Sequence, residues 1–430
     1  MRLERSILIL VVCLAVRPAP AAGLAITSLD LQGRLAWSSA FTNGVCTLEK
    51  AAVIGGPWLP EQNYFTTNIA GHALVSVGLG NAFYRLRADD ISATPAGFTN
   101  LIQAYGVIET IAGRGEVGID GSNGWRESFE GGFATNANLS RPHFAMADDA
   151  DNVFIVDKDS HSVLKVTPDG RIHTVAGTHV VGDDGDGPAA GAQSRLNFPN
   201  GLWVRGDGTV YILDTGNSKV RRLDTNGVMT TLFTVNSAIT TGRGLWVKAD
   251  ESVTYFCSGS ELRKRVLGNI TTLNNNFTDL GNIVVTPHGD VVATDRGDHR
   301  VFLVDGAGGN IGNRTRLAGN GRTNVVVDGA LALTNSLYGV RAVWPMPNGG
   351  YLLGTHEGCQ LLFLDAAGVL HVLLSGRPGD VHAGDGQWFY SPGLKIGELR
   401  SITMDRAGHL LIVENDFGYV RRIRFQRMSP

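Results

Sequence analysis

The sequence predicts an all-β fold in which one four-stranded unit is repeated six times. Each copy begins with a small or polar residue, and then has an apolar run, a Gly/Asp/Asn turn, a second apolar run and a closing residue. The opening residues (openers) are His143, Asn200, Arg243, Gly281, Arg341 and Arg400, and the closing residues (closers) are Asp157, Asp214, Cys257, Asp295, Thr355 and Glu414. The same interval of 14 residues separates opener and closer in all six copies, and a constant interval indicates a repeat architecture.

The composition agrees with a turn-rich β protein. Among the 430 residues are 56 Gly, and the hydrophobic content is 43%, which is typical of a globular chain rather than of a disordered or coiled-coil one. The formal net charge is −3, so we expect no nucleic-acid partner.

Residues 1–21 are predicted to be a secretory signal peptide. Arg2 and Arg5 precede the 11-residue apolar stretch Ser6–Val16, which is too short to span a bilayer. Ala19-Pro20-Ala21 offers small residues for cleavage, and an uncleaved anchor is the alternative. We therefore expect a secreted protein, extracellular or periplasmic, with no membrane attachment after cleavage. The cysteines that then remain, Cys46, Cys257 and Cys359, are odd in number and widely spaced, which is no disulfide framework.

Residues 22–91 are predicted to form a separate small all-β module. Its apolar or alternating runs lie at 35–37, 45–49, 73–77 and 82–86, with Gly-Gly-Pro and Asn/Gly turns between them. The module is similar to the β-sandwich-like domains that precede repeat domains in some secreted bacterial proteins. Residues 92–105 are interpreted as a linker and residues 427–430 as a tail.

The second copy shows the repeated unit most clearly. Its apolar runs at 201–204, 209–213, 219–223 and 228–232 are separated by turns rich in Gly, Asp, Asn and Thr. Four short strands joined by tight turns form the meander of one β-propeller blade.

The sixth copy ends after its third strand, and an upstream strand supplies the fourth. Val107-Ile-Glu-Thr-Ile-Ala-Gly113 nearly repeats Arg171-Ile-His-Thr-Val-Ala-Gly177, which is the fourth strand of the first copy. Pairing of this upstream strand with 420–424 closes the ring and removes exposed sheet edges. We predict a six-bladed β-propeller over residues 106–426, and a seventh blade recruited from the N-terminal module is the alternative.

Several strings of this region resemble NHL repeats. They are Asn200-Gly-Leu-Trp-Val204, Val210-Tyr-Ile-Leu-Asp214-Thr-Gly-Asn-Ser-Lys-Val-Arg221 and the loop Gly185-Asp-Gly-Pro-Ala-Ala190. The third to fifth copies depart from the pattern, because Cys257 and Thr355 replace the usual Asp and Pro345 lies inside an apolar run. The resemblance implies a propeller that binds proteins, RNA or small molecules. A few relatives are enzymes, so the activity stays open.

Openers and closers are expected on one face, around the central channel. In an up-and-down blade the first strand begins, and the second strand ends, on the same side. The longest loops between blades, 180–198, 320–337 and 377–398, lie on that side as well. Loops on a rigid scaffold commonly carry function, so we expect the functional site on this face.

The candidate ligand-binding residues are five of the six openers: His143, Asn200, Arg243, Arg341 and Arg400. Three arginines at a channel mouth favour an anion such as a carboxylate, phosphate, sulfate or acidic sugar. The alternative is structural, because His143 and Arg400 would each face an acidic closer, and such cross-strand pairs contribute about 0.2–1 kcal/mol. Arg243 and Arg341 face Cys257 and Thr355 and are therefore the better candidates.

Three further groups of residues each have a structural interpretation beside a functional one. Trp203, Trp246 and Trp344 lie three residues after their openers, where packing between blades is favoured over a stacking platform. Asp183, Asp184 and Asp186 resemble a calcium loop but lack the EF-hand spacing, so a solvated turn is favoured. His161, His299 and His356 follow the closers and, with His143, are weak candidates for a metal or acid–base site.

We interpret the chain as a secreted, non-catalytic binding or scaffold protein that recognises an anionic small molecule, glycan or protein segment. The sequence requires no cofactor, and calcium is the single candidate. The alternative is a hydrolase or lyase of the lactonase kind with a divalent cation at the channel mouth. The acidic closers offer ligands for such a cation, but the arginines oppose it. A third interpretation is an adhesion module without a small ligand.

Overall fold

Antiparallel strands joined by tight turns account for most of the chain, which confirms the all-β prediction. The computed structural model describes residues 11–13, 24–38, 41–68, 70–75, 82–116, 122–307, 313–376 and 382–428. They divide into two units: the first contains the chain up to Val107, Pro347–Gly349 and the chain from Arg424, and the second contains Ile108–Met346 and Gly350–Ile423. The predicted signal peptide lies outside the described residues except for 11–13.

The first unit contains two sheets that share one core. Its strands are β1 (Val11–Cys13), β2 (Ala25–Leu29), β3 (Arg34–Ser38), β4 (Gly44–Ala51), β5 (Leu59–Thr66), β6 (Ala70–Leu74) and β7 (Phe83–Asp90). The sheet orders are β1-β7-β4-β5 and β2-β3-β6, and β1 pairs with β7 in parallel. Leu35 and Trp37 of one sheet pack with Leu48, Tyr84 and other residues of the other sheet.

The segment interpreted as a linker contains a helix and belongs to the first unit. Helix α1 (Pro95–Ala104) begins where the Thr94 side chain accepts a hydrogen bond from the Gly97 nitrogen at 3.0 Å, with proline in the first turn. The helix buries Leu101 and Ile102. The predicted tail also belongs to this unit, since buried Arg427 donates to Thr47 Oγ1 at 2.9 Å.

The described residues of the second unit form six antiparallel sheets, numbered I to VI. Strand β8 (Ile108–Ala112) comes first in the chain. Sheet I contains β9 (Pro142–Ala147), β10 (Val153–Asp157), β11 (Ser162–Val166) and β12 (Ile172–Ala176). Sheet II contains β13 (Ala189–Ala190), β14 (Pro199–Val204), β15 (Val210–Asp214), β16 (Lys219–Leu223) and β17 (Val228–Thr234). Sheet III contains β18 (Leu245–Val247), β19 (Val253–Ser258), β20 (Glu261–Val266) and β21 (Asn269–Asn274).

Sheets IV to VI repeat the arrangement. Sheet IV contains β22 (Leu280–Val285), β23 (Val291–Asp295), β24 (Arg300–Val304) and β25 (Arg314–Ala318). Sheet V contains β26 (Ala330–Leu331), β27 (Val340–Pro345), β28 (Tyr351–Thr355), β29 (Gln360–Leu364) and β30 (Val369–Ser375). Sheet VI contains β31 (Leu399–Met404), β32 (Leu410–Glu414) and β33 (Tyr419–Ile423), and β8 is its fourth strand. Short 3₁₀ turns lie at Glu127–Phe129, Ala134–Asn136, Lys158–Ser160, Gly191–Gln193 and Thr215–Asn217.

The innermost strands of the six sheets follow one another in a closed ring. They are β9, β14, β18, β22, β27 and β31; each contacts the next, and β31 contacts β9. In a ring of six, sheets II and V lie opposite each other, as do sheets III and VI. The apolar cores lie between neighbouring sheets, as where Phe144 of sheet I packs with Leu202 of sheet II.

The ring is closed by the predicted upstream strand. β8 pairs antiparallel with β33, with Ile108 opposite Ile423 and Thr110 opposite Arg421. Because β8 occupies the outer edge of sheet VI, this sheet has the same four-stranded form as sheets I, III and IV.

Two further sequence expectations concern membranes and disulfides. No helix among the described residues is long and apolar enough to cross a bilayer. Cys46, Cys257 and Cys359 are all buried, and each is a free thiol.

Candidate functional site

The openers and the closers do not face each other across the first hairpin. Asp157 pairs with Pro142, Asp214 with Pro199 and Glu414 with Leu399, and a register shift follows each of these pairs. The opener is the additional residue of this β-bulge, and bulges re-aim side chains. The expected ion pairs His143–Asp157 and Arg400–Glu414 are therefore wrong.

The acidic closers hold the backbone that enters their own sheet. Asp157 accepts a hydrogen bond from the Ser140 nitrogen, Asp214 from Asn197, Asp295 from Thr278 and Glu414 from Gly397, at 2.8, 2.8, 2.9 and 2.8 Å respectively. All four side chains are buried. Burial raises the pKa of Asp157 to about 7 and that of Asp214 to about 6. These carboxylates hold the backbone of the loop before each of these four sheets.

Arg243 and Arg341, which lack an acidic closer, meet at a different carboxylate. Asp279, two residues before the opener of sheet IV, lies 3.3 Å from Arg243 Nη1 and 3.8 Å from Arg341 Nη2. Arg296, directly after the closer of sheet IV, donates to the same carboxylate at 3.0 Å. One carboxylate thus contacts three guanidinium groups, of which Arg296 also contacts Glu357 at 3.1 Å.

Arg341 is the most buried of these arginines, with 2% of its surface exposed. Its Nε and Nη1 atoms have no hydrogen-bond partner among the described residues. The same holds there for Nε of Arg243 and Nε of Arg400. Buried donors without acceptors destabilise a protein by about 1–3 kcal/mol each and are rare in native proteins. A bound ligand with acceptor atoms would satisfy the donors of these three side chains.

A second group of charged residues lies where sheets V and VI meet the channel mouth. Glu398, two residues before the opener Arg400, lies 3.7 Å from that guanidinium and contacts His356 Nε2. His356 Nδ1 is 3.3 Å from Glu357. Burial, reinforced by Glu398, raises the pKa of Asp416, two residues after the closer of sheet VI, to about 6.

Like charges from opposite sheets face each other across the ring. Burial lowers the pKa of Arg400 to about 9, and repulsion by Arg243 of sheet III contributes to this shift. Burial, Arg400 and Arg243 together lower the pKa of His143 well below its ordinary value. Neutral His143 contacts Asn200 through Nδ1. The mouth therefore combines arginines, their carboxylate partners and a neutral polar pair, and the guanidinium nitrogens without partners among the described residues are the groups that favour an anion.

The three tryptophans meet inside the ring. The Trp203 ring lies 6.0 Å from that of Trp246 and 6.5 Å from that of Trp344, centroid to centroid. Sheets II and V are opposite each other, so the contact between Trp203 and Trp344 crosses the channel rather than the wedge between neighbouring blades. The tryptophans lie three residues after the openers, which at about 3.3 Å per residue is roughly 10 Å along the strands. Between the layer of openers and the layer of indoles, the Asn282 side chain donates a hydrogen bond to the Arg400 carbonyl at 2.9 Å.

The candidate calcium residues bind cations of the chain itself. Asp183 and Asp186 each lie 2.8 Å from Lys219 Nζ, and Asp184 lies 2.6 Å from Arg195. No group of three or more His, Cys, Asp or Glu side chains in the described part of the chain is arranged to hold a metal ion. The loop carboxylates thus tie the loop to sheet II and to Arg195.

The histidines after the closers have structural roles in two sheets. His161 Nδ1 accepts a hydrogen bond from the Phe198 nitrogen at 3.1 Å, and His299 Nδ1 accepts one from the Gly339 nitrogen at 3.0 Å. Each bond joins one sheet to the loop before the next. Of the candidate histidines, His143 and His356 lie among the charged residues of the channel mouth.

The sequence predicts the five openers as ligand-binding residues but does not point to Asp279, Arg296, Glu398 and Asp416, which the structure places beside them. These residues lie one or two positions outside the opener–closer interval, so the repeat that located the site did not include them. Their charge is the signal that remained: two residues before an opener, both Asp279 and Glu398 are acidic.

Comparison with known proteins identifies the fold. No protein-family model matches the chain, and no curated protein matches it. A solved protein of unknown function from Bacteroides thetaiotaomicron VPI-5482 is similar, with a TM-score of 0.58, 13% identity and coverage of 94% of this chain and 98% of that chain. An auxiliary nutrient binding protein from the same organism has a TM-score of 0.55 and 12% identity, covering 95% and 99%. One from Bacteroides ovatus ATCC 8483 has a TM-score of 0.55 and 11% identity, also covering 95% and 99%.

These neighbours are β-propeller proteins. At such low identity the similarity shows the fold alone. The second unit, with its closed ring of small antiparallel sheets, is a β-propeller. The resemblance to NHL repeats depends on the quoted strings, because no family model supports it.

Proposed function

We propose that this chain is a secreted, non-catalytic binding protein whose six-bladed NHL-type propeller takes an anion at the mouth of its channel. The main support for this proposal is the environment of Arg341. Its side chain is almost fully buried, and two of its nitrogen atoms have no hydrogen-bond partner among the described residues. Arg243 and Arg400 flank it from opposite sheets. Guanidinium groups in such a place favour a carboxylate, phosphate or sulfate group.

The burial of these residues favours a small molecule or the end group of a glycan or peptide. Side chains of Arg243 and Arg400 are each only 12% exposed, so a broad macromolecular surface has little access to them. The predicted signal peptide supports an extracellular or periplasmic location. The solved structures that share the fold include two auxiliary nutrient binding proteins. We propose that this chain likewise binds a ligand, and that this ligand is a small organic anion or acidic glycan.

Calorimetric titration with sulfate, acetate and glucuronate tests the proposal. We expect at least one of them to bind the wild-type protein, and Arg341→Gln to weaken that binding about tenfold or more. Arg221→Gln is the matched control: Arg221 is 1% exposed and also has unpartnered nitrogen atoms in the described structure, but it lies on the third strand of sheet II.

Three results would contradict the proposal. They are no binding of any of the three anions to the wild-type protein, equal weakening by both substitutions, or stoichiometric calcium or zinc in the purified protein. The last result would favour the hydrolase or lyase alternative, since such a site needs a cation where we place an anion.

A further inference from the structure

We propose that the channel mouth is specific for hydroxy acids, that is, for carboxylates that also carry a hydroxyl group, and that Asn282 accepts the hydrogen bond of this hydroxyl. This inference rests on the proposed function and names the class of its ligand. It predicts that two anions of equal size and charge bind with different affinities when only one of them carries a hydroxyl.

Asn282 places a buried hydrogen-bond acceptor inside the ring. The residue follows the opener of sheet IV, and only 2% of its surface is exposed. Its Nδ2 atom donates to the backbone carbonyl of Arg400 at 2.9 Å, and its Oδ1 atom has no hydrogen-bond partner among the described residues. The bond fixes the orientation of the amide, because a carbonyl oxygen can accept from the NH2 group but not from Oδ1. Oδ1 is therefore the atom that remains to accept a hydrogen bond from another molecule.

This acceptor lies beside the arginine that supports the proposed function. Sheet V, which carries Arg341, stands between sheets IV and VI in the ring, so the side chain that joins Asn282 to Arg400 passes sheet V on the channel side. The Thr294 hydroxyl also links the two residues, since it lies 3.2 Å from the Asn282 carbonyl oxygen and 2.8 Å from that of Arg341. The donors of Arg341 and the acceptor of Asn282 thus share one part of the channel.

The opener of sheet IV explains why the acceptor comes from the following residue. A Cβ atom at Gly281 would lie 2.7 Å from the Arg341 carbonyl oxygen and 3.1 Å from the Arg341 Cα atom. The close approach of β22 and β27 therefore excludes a side chain at this position. The other five openers have polar side chains, and in sheet IV the nearest polar side chain after the opener is that of Asn282.

The two kinds of unpartnered atoms are complementary to two groups of one ligand. Arginine nitrogens donate and bind the carboxylate, whereas an amide oxygen accepts and binds a donor. An anion without a donor, such as sulfate or acetate, leaves Oδ1 of Asn282 unpaired, and buried polar groups are rarely left unpaired in native proteins. A hydroxyl suits this position better than an ammonium group, because Arg243, Arg341 and Arg400 repel a second positive charge.

The experiment compares pairs of anions of equal size by calorimetric titration of the full chain at about pH 7, where all of the carboxylic acids are ionised. Glycolate has a hydroxyl where propionate has a methyl group, and 3-hydroxypropionate differs from butyrate in the same way one carbon further from the carboxylate. We expect the hydroxy acid of at least one pair to bind the wild-type protein about tenfold tighter than its partner, because a site that hydrogen-bonds a hydroxyl discriminates against the analogue that lacks it.

Asn282→Leu removes the acceptor with little change of side-chain volume. We expect the preference for the hydroxy acid to fall to about twofold or less. This ratio separates recognition from support of the fold, since a purely structural role of Asn282 would weaken both anions alike.

Asn63→Leu is the matched control and should keep the wild-type preference. Asn63 is 1% exposed, its Nδ2 atom donates to the Ala104 carbonyl at 2.7 Å, and its Oδ1 atom lacks a partner in the described structure. It differs from Asn282 in its place, since it lies on β5 of the first unit.

Equal binding of the two members of both pairs by the wild-type protein overturns the inference, and so does tighter binding of glycine than of glycolate. A preference that Asn282→Leu retains also overturns it. If Asn282→Leu does not fold, the comparison in the wild-type protein still decides. If sulfate binds but none of these carboxylates does, the inference fails while anion binding stands. If sulfate, acetate and glucuronate fail as well, the proposed function fails with it.

Discussion

The Oδ2 atom of Asp157 accepts a hydrogen bond from the backbone nitrogen of Ser140, 17 residues earlier, at 2.8 Å. The same interval joins closer and backbone nitrogen in sheets II, IV and VI. In sheet V the closer Thr355 instead accepts from the Gln360 nitrogen at 2.8 Å. In sheets I, II, IV and VI, the residue that marks the repeat most clearly in the sequence thus fixes the loop before the blade.

Replacement of an acidic closer should destabilise the propeller. Asp214 is 0% exposed and accepts from the Asn197 nitrogen and from Asn217 Nδ2, both at 2.8 Å. Asp214→Ala leaves the Asn197 nitrogen without this acceptor, while Asn217 Nδ2 keeps only the Gly182 carbonyl, and we expect the free energy of unfolding to fall by about 2–4 kcal/mol. Urea denaturation at neutral pH measures this change.

The control for this substitution is in the same sheet. Asp207 accepts from the Thr209 nitrogen at 2.9 Å but is exposed to solvent in a turn, so Asp207→Ala should cost less than about 1 kcal/mol. Equal effects of the two substitutions would show that burial of the closer carboxylate has no special role.

The stability of the propeller should decrease as the pH rises through the titration of Asp157. Burial raises the folded-state pKa of this carboxyl to about 7, from 3.8. The stabilisation that the protonated Asp157 carboxyl contributes to the folded state is therefore fully present below about pH 4 and is lost as the pH rises through about 7. The free energy of unfolding falls by about 4 kcal/mol at most. Asp157→Asn cannot ionise, and thermal unfolding from pH 4 to 8 should show a shallower decline than in the wild type. If the stability of Asp157→Asn declines with pH as steeply as that of the wild type, Asp157 is not the group whose titration causes the decline.

The strand that closes the ring should be stabilised by His382 at low pH. His382 Nε2 lies 3.1 Å from Thr110 Oγ1 of β8 and 3.3 Å from Asp385, and Nδ1 lies 3.5 Å from Glu414. Burial alone would lower the pKa of His382, but Asp385 and Glu414 raise it. The charged ring therefore adds stability below its unfolded-state pKa of about 6.5, and this is lost as the pH rises through the higher folded-state pKa.

The test is His382→Gln, with unfolding measured at about pH 5.5 and about pH 8.5. We expect a larger loss of stability at the lower pH, together with faster hydrogen exchange in β8. His371→Gln is the control, because His371 pairs with Asp365 within sheet V at 3.1 Å and is remote from β8. A loss that is equal at both pH values would exclude a charged His382 as the stabilising group.

The sequence was sufficient to predict the closed ring of sheets, but not to predict which charged side chains contact each other at the channel mouth. The near-identity of 107–113 and 171–177 correctly predicted that β8 completes sheet VI, since similar strands occupy similar edges. It could not reveal the register shift at five of the six openers, because the interval of 14 residues is the same with or without one. A shift of one residue changes which side chains meet, and so Arg400 meets Glu398 instead of Glu414.

The helix was missed for a different reason. Thr94-Pro95 is an N-terminal capping signal, and Phe98, Leu101 and Ile102 have the spacing of one helical face. The linker prediction for residues 92–105 takes no account of these local signals. The charged residues of the mouth, by contrast, come from four different sheets, III to VI, and only the closed ring brings them together.

The contact of Trp203 with Trp344 should couple opposite sides of the ring energetically. The two indoles belong to sheets II and V, and their centroids are 6.5 Å apart. Aromatic pairs at such distances contribute about 0.5–1.5 kcal/mol beyond the area that they bury. A double-mutant cycle with Trp203→Leu and Trp344→Leu, measured by urea denaturation, should give a coupling energy in this range. Trp388, which packs on Phe389 and Tyr390 in the loop before sheet VI, is the control partner and should show no coupling to Trp203. If the coupling of Trp203 with Trp344 is as small as that with Trp388, the indoles do not meet across the channel in solution.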